Sequence, residues 1–170
     1  MNKLTAENFI KHLPYGVKVP SSLKYNYGGV RTDAEYLTIN GIRDNYISFE
    51  GIGGFYPIEH FKPCLFHLNS LTKTITISGK EFVPIDEFEI GDGDDNGIEY
   101  NNGNIRLIKD LEAISAGSLY QNIHFLPYSV VNKLIEWHFD IDNLLEQKLA
   151  FDADINNPYK YDATINKNNI

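Results

Sequence analysis

Pro127–Ala150 reads PYSVVNKLIEWHFDIDNLLEQKLA and holds the only tryptophan of the chain. Val130, Val131, Leu134, Ile135 and His138 fall on one stripe of a 3.6-residue helix, with Asn132, Lys133 and Glu136 opposite. Pro127 suits a first helical turn, and Ser129 suits its exposed donors. Trp137 and Phe139 widen the stripe. A second helical piece is expected over Leu144, Leu145 and Leu149, with Asp142 or Asn143 as its N-cap. Burying side chains of this size contributes about 1.5–3 kcal/mol each before entropy is subtracted. The stretch therefore predicts a C-terminal helical cap that closes a core.

Working outward, 170 residues fit one domain, expected over 1–155, with a loose tail over 156–170. Fifteen basic against 23 acidic side chains give −8, which argues against direct nucleic-acid binding. The charge is unevenly spread. Residues 1–31 hold five basic and one acidic side chain, and residues 81–110 hold two basic and nine acidic. Such opposed fields steer partners, although a solvated acidic loop needs no partner at all. One cysteine, Cys64, excludes an internal disulfide and suits a reducing compartment. No signal-peptide pattern opens the chain, and no run approaches the roughly 18–20 apolar residues of a membrane span. The expected location is the cytoplasm.

Thr5–Leu13 predicts a short helix stopped at Pro14, followed by a strand over Tyr15–Val19. From Leu23 to Leu68 short apolar runs alternate with turn signals, among them Asn40-Gly41 and Gly51-Ile52-Gly53-Gly54. This spacing predicts a small antiparallel sheet, curled or closed into an SH3-like barrel. A helical turn is expected near Asn69–Ile75 and a hairpin turning near Gly79. An acidic loop follows over 91–104, then a helix through Ile105, Ile108, Leu111 and Ile114.

Four constellations carry candidate chemistry. Asp92, Asp94 and Asn96 before Gly97 match the opening of a calcium loop, with Glu99 as a further oxygen donor. Position 12 is Gly103 where a bidentate glutamate belongs, so a solvated loop competes with a calcium site. His60, Cys64 and His67 resemble a metal or thiol cluster, but His67 points opposite on an extended chain and Cys64 reads equally as a core residue. Trp137, His138 and Asp140 are candidate interaction residues, with His138 and Asp142 four apart on a helix; the plainer role is structural. Tyr15, Tyr25 and Tyr27 among Lys11, Lys18, Lys24 and Arg31 faintly suggest a single-strand stacking surface, which the net charge disfavours. No phosphate-loop, nucleophile-elbow or zincin motif occurs, and no catalytic or cofactor-binding residue is assigned.

Several stretches carry a resemblance, in the same order along the chain. They are Leu13-Pro14-Tyr15-Gly16-Val17-Lys18, Phe61-Lys62-Pro63-Cys64-Leu65, Leu71-Thr72-Lys73, Lys80-Glu81-Phe82-Val83-Pro84, Trp137-His138-Phe139-Asp140 and Leu149-Ala150. In these the chain resembles a group of small proteins encoded by phages and prophages of Bacteroides-like gut bacteria, a group with no established activity. It departs from that pattern at Phe66-His67, where the group has Arg-Pro, and at Asn143 and Lys148, where the group has glycines. The resemblance implies a phage-linked origin and a shared fold, and it transfers no catalytic residue.

The expectation is one α+β domain and a non-enzymatic phage or mobile-element accessory protein that binds a host or phage protein. A small-molecule or calcium-binding module is the alternative, and an acidic nucleic-acid mimic that inhibits a host enzyme is a further one.

Overall fold

The computed structural model describes residues 3–21, 35–87, 123 and 128–161. The first helix, α1 (Ala6–Ile10), starts at Thr5, whose amide donates to Asn8 Oδ1 at 2.9 Å, and it buries Phe9. It is shorter than expected. Leu13–Tyr15 forms a separate 3₁₀ turn that ends on Gly16 at φ 73°, where a glycine is at ease.

Four antiparallel strands follow: β1 (Lys18–Pro20), β2 (Tyr36–Arg43), β3 (Tyr46–Phe49) and β4 (Ile52–Pro57), paired in the order β1-β2-β3-β4. Val19, Ile39, Ile47 and Phe49 are buried against α1, Ile58 and Phe61. The sheet is open, not a barrel. β1 has three residues and ends in Pro20, which has no N–H to offer, so it gives β4 little edge to close on. The chain reverses at Asp44-Asn45 and not at Asn40-Gly41, because Asp44 takes the left-handed conformation at φ 54°. Asn40-Gly41 lies inside β2 at a register shift. There Ser48 Oγ donates to Asn40 Oδ1 at 2.8 Å and would stand 2.6 Å from a Cβ at position 41.

The centre of the molecule is β5 (Cys64–Leu65). It pairs in parallel with β8 (Phe151–Asp152) on one side. On the other, Phe66 N donates to His138 O at 2.8 Å and Asp140 N donates to Phe66 O at 2.9 Å. Strand alternation sends Cys64 and Phe66 into one apolar cluster and Leu65 into the other, so this segment is the wall both share. A 3₁₀ turn, Leu68–Thr72, and the hairpin of β6 (Ile75–Ile77) and β7 (Lys80–Phe82) complete the first cluster. The hairpin turns on Ser78 and Gly79, both at positive φ, close to the expected position.

The next helix among the described residues, α2 (Tyr128–Glu136), is the first half of the C-terminal stretch as read from periodicity, burying Val130 and Leu134. The second half is not a helix. Asp140, fully buried, accepts backbone hydrogen bonds from Asp142, Leu144 and Leu145 at 3.2, 3.0 and 2.8 Å. The cap is therefore Asp140 and not Asp142 or Asn143. Asn143 and Lys148 stand at φ 58° and 59°, which no helix interior accepts, and the intervening residues make a tight turn.

Residues 156–161, expected to be loose, are built in. Asn157 Nδ2 donates to Thr76 O at 2.7 Å, Ser78 N donates to Tyr159 O at 2.7 Å, and Tyr159 is buried. Among the described residues, no helix is long and apolar enough to cross a membrane.

Candidate functional site

The end of α2 sets the site. Trp137 N donates to Lys133 O, His138 N to Ile135 O and Phe139 N to Leu134 O, at 3.0, 3.0 and 2.8 Å. This is a Schellman closure with His138 in the left-handed position, φ 60°, where glycine is the usual occupant. Leaving the helical path turns the imidazole onto Tyr159, ring centroids 3.9 Å and planes 10° apart. The ring of His12 lies beyond, 6.1 Å from that of His138. Tyr159 is fixed at its far end, because its hydroxyl donates to Cys64 O at 2.7 Å and accepts from Lys18 N at 3.2 Å.

Both histidines are neutral. Burial lowers His12 to about 4, although a contact with Ile135 O opposes it. His12 Nδ1 lies 3.2 Å from that carbonyl and so carries the proton. Burial also holds His138 well below the ordinary value, with His12 and Lys18 adding to the effect. A bond to the Tyr15 backbone opposes the shift, which identifies the acceptor as a carbonyl and the ring N–H as its donor. His138 Nδ1 has no hydrogen-bond partner. The Tyr15 bond therefore belongs to Nε2–H, and Nδ1 is left an unpartnered acceptor closed off from solvent. A buried acceptor left in this state costs about 1–3 kcal/mol.

His138 and Tyr159 line a cleft of about 540 Å³. One wall is Tyr15, Gly16 and Lys18 with Thr38 of β2; the opposite wall is the β6–β7 hairpin with Phe82. Trp137, Lys133 and Glu136 come from the end of α2, and Phe82 meets Trp137 at 5.2 Å. The amines on the walls have local contacts. Lys80 lies 3.1 Å from Glu87 and over the Phe82 ring, Lys133 lies 3.1 Å from Glu136 and over Trp137, and Lys18 donates to Pro158 O at 2.8 Å. A shallower hollow of about 310 Å³ lies among Arg43, Asp44, Tyr46 and Phe55.

Of the interaction residues expected from sequence, Trp137 and His138 meet at the cleft. Asp140 does not join them; it is turned inward as a cap, and its burial raises its carboxyl despite three backbone donors. The expected His138–Asp142 pair is not formed, since His138 is off the helix and Asp142 pairs with Lys11. His60, Cys64 and His67 do not converge, and among the described residues no group of three or more metal-ligating side chains is assembled. Burial pushes the Cys64 thiol up to about 12, as fits a core residue. The loop of Asp92, Asp94, Asn96 and Glu99, the stacking-surface candidates Tyr25 and Tyr27, and the helix expected through Ile105 to Ile114 lie outside the described residues. Carboxylates of 136–154 face separate partners: Glu136 faces Lys133, Asp142 Lys11, Glu146 His67 and Asp154 Ser70.

Phe82 and Tyr159 were not singled out as site residues from the sequence, and Lys18 entered only in the disfavoured stacking surface with Tyr15. For Tyr159 a signal existed in Asn157-Pro158, an Asx-proline turn that sets the following aromatic. No family model, curated protein or solved structure matches this chain.

Proposed function

We propose that this chain is a binding protein of phage or mobile-element origin, not a catalyst, and that it engages a small ligand in the cleft beside His138. One observation carries the reading: a cleft of about 540 Å³ is lined by aromatic side chains, Phe82, Trp137 and Tyr159, together with charged ones, Lys18, Lys80, Lys133, Glu50, Glu87 and Glu136. That volume lies within the usual range for small-molecule sites, and convergent polar groups on aromatic walls are their ordinary composition. Binding is favoured over catalysis because the groups best suited to chemistry are held inactive. Burial makes His12 and His138 weak bases closed off from solvent, and it keeps the Cys64 thiol protonated. The phage-linked origin rests on the sequence resemblance. It gains support from Asn143 and Lys148, both left-handed, at the two positions where the resembled group has glycine.

A fragment screen by NMR on the ¹⁵N-labelled chain tests this. Hits are expected to move the amides of Lys18, Ile77–Phe82 and Tyr159 together. A screen whose hits all map elsewhere rejects the cleft.

A protein partner is the second reading, favoured by β4. Among the described residues this strand pairs only with β3, and it carries Phe55 exposed beside Tyr46 of β3. An unpaired strand edge with exposed aromatics suits strand addition by a host or phage protein. Replacing Phe55 with Lys abolishes capture of such a partner if β4 is the contact, and leaves the cleft hits unchanged.

A further inference from the structure

We draw no further inference here: the strongest candidate, the hollow of about 310 Å³ where Arg43, Asp44 and Tyr46 of the β2–β3 reversal meet Phe55 of β4, is an exposed surface patch and nothing in the structure shows what covers it.

Discussion

The His138 imidazole lies flat on the Tyr159 phenol, centroids 3.9 Å apart, and joins the end of α2 to a segment that begins at β8. Around this stack the backbone is fully engaged: His138 N and O are bonded to Ile135 and Phe66, and Tyr159 O accepts from Ser78. The contact therefore ties helix, central strand and hairpin at one point, and both residues are among those that line the cleft.

Tyr159→Phe keeps the stack and removes the hydroxyl between Lys18 N and Cys64 O. Both partners then lose a bond in a buried setting, which costs about 1–3 kcal/mol. Urea unfolding should show a lower midpoint at unchanged slope. An unchanged midpoint would mean the hydroxyl is structurally idle.

Lys148 is exposed and left-handed at φ 59°, so its Cβ is strained. Lys148→Gly should stabilise the fold by about 0.5–1 kcal/mol after the greater entropy of unfolded glycine is subtracted. Asn143→Gly should gain less, because asparagine tolerates this conformation. A drop in melting temperature for Lys148→Gly would contradict the assigned backbone.

Asp140→Ala deprives three backbone donors of their acceptor, with an expected loss of about 2–3 kcal/mol. Hydrogen exchange at Leu144 and Leu145 should speed up more than at residues of α2. Equal acceleration everywhere would point to global destabilisation without a local cap.

Stability should fall as pH falls. The unfolded chain takes up protons on histidine near the ordinary 6.5, whereas folded His12 waits until about 4 and His138 resists further. The native state thus binds fewer protons through that window. Each histidine removes stability at about 1.4 kcal/mol per pH unit until its folded value is reached. Asp140, raised by burial, works in the opposite sense and softens the lower part of the curve. Urea midpoints measured from pH 7.5 down to 5 should decline, and less steeply in His12→Asn; a flat profile would contradict two buried neutral histidines.

Local patterning made much of the fold legible. Period-3.6 apolar spacing gave α2, a hairpin was signalled near Gly79, and alternation over Tyr15–Val19 pointed to a strand, of which Lys18 and Val19 lie in β1 while Tyr15 lies in a 3₁₀ turn. The misses have physical causes. Leu144, Leu145 and Leu149 carry helical spacing, but Asn143 and Lys148 adopt left-handed φ without being glycine, and propensity does not announce that. Asn40-Gly41 is a strong turn pair that Ser48 absorbs inside a strand irregularity, whereas the less conspicuous Asp44-Asn45 turns the chain. The cleft was half visible. Trp137 and His138 stood in the dense stretch, but Lys18, Phe82 and Tyr159 come from remote segments whose meeting depends on tertiary pairing.

The most direct measurement is the long-range ¹H–¹⁵N spectrum of the His138 ring in the ligand-free chain near neutral pH. The account predicts a neutral imidazole protonated at Nε2, with Nδ1 at the position of a free lone pair. An imidazolium, or a ring protonated at Nδ1, would contradict it and the packing assigned around the His138–Tyr159 stack.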